Sequence, residues 1–487
     1  MRPTFPIIVR RLALGIALAV PLHAMAHPAA PQPGPPPSPD AAAAQVQAWL
    51  AERLGPHAAA DLRIHVTPED DHLRVAAADP LVSGEAEATA ALRPGPNGRW
   101  VMDRIRIPAA TFTLPGPRGP AAYAFSIGAQ DSHAVVDPAL AAPSSLDLDL
   151  SDMGLTSNGP GLHQAEHVGR LAVHARLTPH GDRLDFDQQT TLAGWHSASR
   201  VSGKVATVAA DQVQASSHIG GLDHRHAEAL LAAVAGLLAT LPADAAAAER
   251  GAPLPAPAHA AVLAWIDALR GPVADTHGAE TVNGLTVTVA GQGEAHVRQM
   301  RMAADFSAAR GLVHGWFDVS IDGLHVSGLP KDEAALVPTR IALHPTVAGV
   351  RLADLTTLMQ EATEPGASPD RLRNDAQTLL MHPGVTLGME SISLTLGPAT
   401  LFGHGHVTLT EHDGYAIDAH FIATGFDTLM AQAATNPAMR RSLPVLAVMR
   451  GFARQEGNRL AWDVTEHNGA LTVNGIPLSA NDQADSR

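Results

Sequence analysis

Leu146-Asp147-Leu148-Asp149-Leu150 decides the fold class. Every second residue is a leucine and each residue between is a carboxylate. A period of two wastes a helix face, but it suits a strand with one buried side and one wet side. The pattern recurs outward in both directions. Leu62, Ile64 and Val66 alternate with Arg63 and His65, and Pro68 to Asp71 makes a turn into Leu73-Arg74-Val75. Short strands follow at Ile105-Arg106-Ile107, Thr111 to Leu114 and Leu171 to Leu177. Others lie at Leu285 to Val289, Val313 to Ile321, Ile392 to Leu396, Val407 to Leu409 and Tyr415 to Phe421. Parallel strands covered on both faces read as continuous apolar runs, whereas one-sided alternation belongs to antiparallel sheet. The expectation is an α+β protein, mainly antiparallel β-sheet of short strands with several covering helices.

The helices announce themselves by the other period. Val46, Trp49, Leu50 and Leu54 keep i, i+3, i+4, i+8 spacing, which predicts a helix over 41–54 capped by Asp40 and ended by Gly55-Pro56. Leu230 to Leu241 and Val262 to Leu269 form two more stripes, separated by proline-rich 251–258. Ile219-Gly220-Gly221-Leu222-Asp223, Gly349 to Asp354 and Thr424-Gly425-Phe426-Asp427 share a strand exit on glycine and an aspartate cap. They fit either a degenerate repeat or a small alphabet of strand-to-helix punctuation. Near the end, Leu460 to Thr465 and Ala470 to Val473 flank Asn468-Gly469, a strong hairpin signal.

The first 26 residues read as a secretory signal peptide. Arg2, Arg10 and Arg11 make a basic start, Leu12 to Leu22 an apolar core, and Ala24-Met25-Ala26 a small-x-small cleavage site. The core is short for a membrane span, which needs about 20 apolar residues; an uncleaved anchor is the alternative. Seven prolines crowd residues 28–39, so 27–39 reads as an extended linker. Regions at 40–250 and 259–480 then carry the α+β pattern, with a polar tail at 481–487 expected to be disordered.

The chain has no cysteine, which excludes disulfides, thiolate metal sites and thiol nucleophiles. Its net charge is −15, with Lys+Arg 33 against Asp+Glu 48, so nucleic acid is not an expected partner and any membrane contact is peripheral.

Three features together carry a resemblance. A leader is followed by the short helix Val46-Gln47-Ala48-Trp49-Leu50. A strand, a Gly-Phe-Asp turn and a helix run from Phe421 to Met430. A closing hairpin runs from Asn468 through Ile476-Pro477-Leu478. In this the chain resembles the bacterial periplasmic family of unknown function numbered twenty-one twenty-five among the DUF families. The signal sits mainly in the C-terminal third. More loosely, strand units with covering helices are similar to AsmA-like envelope proteins, whose β-grooves are associated with lipid movement. The first resemblance implies no reaction or site residue.

The sharpest chemical motif is His163-Gln164-Ala165-Glu166-His167, an H-x-x-E-H pattern. As a zinc hydrolase site it needs a helix, with both histidines as ligands and Glu166 as general base. The preceding Gly159-Pro160-Gly161 and the following Val168 to Val173 point instead to a strand. His404 and His406, with His412 near, and His224 with His226 could each hold a transition metal loosely, or sit on wet faces. Asp147 and Asp149 share a strand face with no evident basic partner, and Glu69-Asp70-Asp71 fits a turn. No nucleophile elbow, phosphate-binding loop or dinucleotide fingerprint is present. The expectation is therefore an exported periplasmic envelope protein without catalytic, cofactor or metal residues. Its sheet, covered in part by helices at 226–241 and 437–453, would offer a groove to a lipid or other hydrophobic ligand, or to an envelope partner. The alternatives are the H-x-x-E-H hydrolase and a structural interaction module.

Overall fold

The computed structural model describes residues 38–54, 63–78, 87–114, 121–137, 142–159, 162–181, 183–201, 204–223, 259–260, 262–263, 266, 275–291, 293–364, 367–380, 382, 384–409, 415–437, 439–467 and 470–478. The leader, most of the proline-rich linker, the stripe at 230–241, the break at 251–258, His224, His226, His412, Asn468-Gly469 and the tail lie outside these residues. All strand pairings given below are antiparallel, and helices pack on the sheets, as the alternation predicts. Contacts divide the described residues into two units. One is drawn from Met1–Ala206, Gln212–Thr276 and Thr356–Ser368, the other from Thr207–Asp211, His277–Leu355 and Pro369–Arg487.

In the first unit, helix α1 (Pro39–Leu54) begins two residues earlier than its sequence suggests. Ser38 Oγ accepts the Ala41 N–H at 3.3 Å, so serine is the cap and Asp40 lies in the first turn. There its charge still favours the positive end of the helix dipole. Ala43, Val46 and Leu50 bury against Ile64, Leu73, Val75, Leu92, Met102 and Phe125.

These residues belong to β1 (His65–Glu69), β2 (His72–Ala78), β3 (Glu87–Pro94), β4 (Trp100–Arg106), β5 (Ala110–Leu114) and β6 (Ala121–Ser126), or lie beside them. Next come β7 (Ala129–Asp137), β8 (Ala142–Gly159), β9 (Leu162–His180), β10 (Arg183–Val201) and β11 (Lys204–Asp223). One edge of β8 is shared by β7 and β6, and its other edge pairs with β9, which pairs with β10. Strands β8 to β11 are 18 to 20 residues long, far longer than the apolar runs that reveal them. Ile266, from the expected stripe at 262–269, is 1% exposed.

The second unit takes up β12 (Asp275–Val289) from His277 and continues through β13 (Gly293–Ala309), β14 (Leu312–Asp322), β15 (His325–Ser327) and β16 (Arg340–Arg351). Helices α2 (Leu352–Thr363) and α3 (Pro369–Leu380) precede β17 (Thr386–Leu396), β18 (Ala399–Leu409) and β19 (Tyr415–Thr424). Helix α4 (Phe426–Thr435) is followed by a 3-10 turn, Arg440–Ser442, and helix α5 (Leu443–Phe452). The expected helix at 437–453 is thus shorter. The chain closes with β20 (Arg454–Glu456), β21 (Arg459–His467), β22 (Ala470–Val473) and β23 (Ile476–Pro477). Register carries the sheet in the order β13, β14, β16, β17, β18, β19, β21, β22.

The glycine punctuation acts as expected, the aspartates differently. Gly425 stands at the start of α4 with φ 69°, and an ideal Cβ there would lie 2.0 Å from the Pro398 carbonyl oxygen. Only glycine fits that turn. Asp427 sits inside the first turn and accepts from Arg450 at 2.8 Å, and Asp354 likewise pairs with Arg351 at 3.3 Å. Both act as first-turn charges where caps were expected. At the C-terminus, β21 and β22 pair antiparallel, His467 with Ala470, on either side of the expected Asn468-Gly469 turn, which lies outside the described residues. Asn474 and Gly475 then turn with φ 51° and 77°, the double-positive pattern of a tight hairpin.

Candidate functional site

Because residues paired across antiparallel strands point to the same side, the registers of the second unit sort its side chains into two faces. One face is apolar and is built in rows. Ala304 pairs with Phe317, and Pro345, Met389, Gly405 and Ala419 pair in succession across β16, β17, β18 and β19. Lying between the pairs Trp316 with Thr346 and Val319 with Leu343, Phe317 and Pro345 join the two stretches into one row. Met302, Val319, Leu343, Ile392, Gly403 and Phe421 form the next. No charged residue is in register within these rows.

Helices cover the ends of this face. Leu352 and Leu355 of α2 and Leu379 and Leu380 of α3 pack with Val313, Val350, Val385 and Leu409 at one end. At the other, α4 and α5 supply Phe426, Met430, Leu446 and Phe452 to a cluster with Leu401, Phe421, Leu460 and Trp462. Trp462 Nε1 donates to the Met449 carbonyl at 2.8 Å, which pins α5 to β21.

Between these caps the face stays open: Phe306 is 46% and Phe317 42% exposed. Val319, Ile321, Ile341, Leu343, Met389, Ile392 and Leu394 are half-buried. Two close approaches shape it. An ideal Cβ on Gly315 would fall 2.4 Å from Phe306 Cδ1, and one on Gly403 2.3 Å from Phe421 Cδ1, so each phenyl ring lies across a bare backbone. With Gly405 and Ala419 beside them, the floor at β18 and β19 is low. Six strands spaced at about 4.8 Å give this floor a span of ~24 Å. Glu466 is the exception to its apolar character, 2% exposed beside Ile417 at the sheet margin.

The opposite face is polar. Trp316 stacks on His344 at 5.1 Å between ring centroids and tilts against His277 at 5.9 Å. His277 pairs with Asp305 at 3.6 Å and His344 with Asp318 at 3.7 Å. Thr346, Thr386, Gly388, Glu390, His404 and His406 line a concavity of about 470 Å³. His404 lies 5.6 Å, centroid to centroid, from His420. His420 Nδ1 is 2.5 Å from Asp463, which also accepts from Arg454 at 2.7 Å. The hydrogen bond to His420, with that from Arg454, holds the Asp463 carboxyl below the usual carboxylate range. Among the described residues no group of three or more His, Asp or Glu is placed to hold a metal ion.

In the first unit, the H-x-x-E-H motif lies on β9. A strand puts i and i+4 on one side and i+3 on the other. His163 and His167 accordingly point to solvent, while Glu166 is buried and accepts from Gln164 at 2.6 Å. Base and ligand pair are on opposite faces, so the geometry of a zinc hydrolase is not assembled. Asp147 and Asp149 do have basic partners, supplied by the next strand: His174 at 2.7 Å for Asp147, and Arg170 for Asp149. Their reading as an unpartnered acidic pair is corrected accordingly. Asp71 pairs with His72 at 2.8 Å, beside the turn between β1 and β2. The hydrogen bond from His218 to Asp187, at 2.8 Å, raises the imidazole pKa, with Asp275 and Asp185 adding to it.

The open apolar face is the feature that single-residue motifs could not reveal. Its signal was dispersed: the even positions from Met300 to Ala308 in β13, and the odd positions from Val313 to Ile321 in β14 and from Ile341 to Val347 in β16, are apolar or glycine, but only register shows that they meet. No protein-family model, curated protein or solved structure matches the chain.

Proposed function

We propose that this chain is an exported periplasmic envelope protein that works without catalysis, holding the acyl chain of a lipid-like ligand on the apolar face of its second unit. The carrying observation is that Phe306 and Phe317 stand 46% and 42% exposed amid rows free of charged residues. An exposed apolar surface of this extent commonly marks a binding site. Helical caps at both ends would limit the length of what it accommodates. The leader-like N-terminus supports export. The resemblance to envelope proteins with β-grooves points the same way. Among the described residues no helix is long and apolar enough to cross a membrane.

Titration of the purified chain with a fluorescent polyene fatty acid tests the proposal. Saturable binding, displaced by unlabelled long-chain fatty acids better than by short ones, is the expected result. A folded protein that binds none of them overturns it. Fractionation of cells making the full chain tests export, and a full-length product confined to the cytosol would contradict that part.

A further inference from the structure

Helix α5 is apolar on both sides. Leu443 and Leu446 face inward, packing with Ala399, Leu429, Ala433 and Met439. Val445, Val448 and Met449 face outward and are 62%, 59% and 37% exposed. Their i, i+3, i+4 spacing makes one continuous stripe.

The charge around this stripe runs against the rest of the molecule. From 428 to 455 the sequence has no acidic residue and four arginines, Arg440, Arg441, Arg450 and Arg454, in a chain whose net charge is −15. Arg450 is engaged by Asp427 and Arg454 by Glu456 and Asp463. The flanking carboxylates are thereby neutralised. Arg440 and Arg441, exposed in the turn that leads into α5, form no ion pair among the described residues.

We propose that α5 and its leading turn dock the protein on an anionic phospholipid surface. An apolar stripe beside unpaired arginines is the composition of an interfacial helix, whose side chains enter the headgroup boundary while arginine meets lipid phosphate. A second copy of this chain fits less well. Two such patches face to face would oppose arginine to arginine. The inner side of the same helix closes one end of the open apolar face, so docking here would bring that end to the bilayer.

This inference stands apart from the fatty-acid proposal. A chain that docks yet binds no fatty acid would keep it, and one that binds fatty acid yet ignores vesicles would remove it alone. The experiment is co-sedimentation of the full chain with vesicles of phosphatidylcholine containing phosphatidylglycerol, against phosphatidylcholine alone. Binding to the anionic vesicles only, weakening as salt rises, is expected. Arg440→Ala with Arg441→Ala should weaken it about thirty-fold, from the usual contribution of an arginine at such a surface. Val448→Asp, at an exposed position that leaves the core untouched, should abolish it. Equal pelleting of wild type and both variants, no binding to either vesicle, or self-association lost in Val448→Asp would each overturn the proposal.

Discussion

Truncating Phe317 should separate ligand binding from folding. The residue is 42% exposed on the open face. A phenylalanine presents roughly 200 Å² of surface, so roughly 80 Å² is available to a ligand. At about 25 cal/mol per Å² of apolar area this amounts to ~2 kcal/mol, or ~30-fold in Kd. The buried remainder supports the fold, so Phe317→Ala should also cost about 2 kcal/mol of stability, below the range for a fully buried ring. Phe402 provides the control, because it is 50% exposed but lies on the polar face, in register with Ser393 and Ile422. Its truncation should leave fatty-acid affinity unchanged. Displacement titrations, with urea unfolding in parallel, read both quantities. An unaltered Kd in Phe317→Ala, or an equal loss in Phe402→Ala, would refute the assignment of the site to the apolar face.

Three further outcomes follow from the geometry. Asp463 has a depressed pKa, so its stabilisation is present above the ordinary carboxylate pKa and is lost as pH falls through the folded value. The stability gap between wild type and Asp463→Asn in urea should therefore close on acidification, and a constant gap would contradict the pairing. His218 is shifted the other way, so its contribution is full below the ordinary histidine pKa and fades as pH rises through the raised one. In Asp187→Asn its NMR titration midpoint should move down, and an unmoved midpoint would count against that contact. Gly425→Ala should destabilise by at least ~1 kcal/mol from the left-handed backbone alone, with more from the contact to Pro398; a neutral effect on the urea midpoint would show that the turn relaxes freely.

Much of the architecture was legible because burial on one side imposes a period on the sequence. Leu146, Leu148 and Leu150 are all buried, and they meet Ala175, Val173 and Leu171 of β9. The full length of β9 and β10 was not legible. Their inward positions include Gln164, Gln188, Thr190, Ser197 and Ser199, which erase the apolar beat. The α1 cap was misplaced by two residues because serine and aspartate compete for the same role and only the backbone chooses. The partners of Asp147 and Asp149 were invisible for a different reason. Cross-strand ion pairs depend on register, and register is set by how whole faces bury. The strand character expected around the H-x-x-E-H motif is observed, and it is what parts Glu166 from His163 and His167. The open face of the second unit needed both facts at once, apolar periodicity and the order in which six strands pair.

A chain without cysteine permits a direct test of that face. A single thiol is introduced by Phe317→Cys, and in a separate variant by Phe402→Cys, and maleimide labelling is timed with and without fatty acid. Rapid labelling at both positions, with ligand protecting only position 317, is the predicted result. A thiol at 317 that resists labelling in the free protein, or that fatty acid leaves unprotected while binding persists, would contradict it.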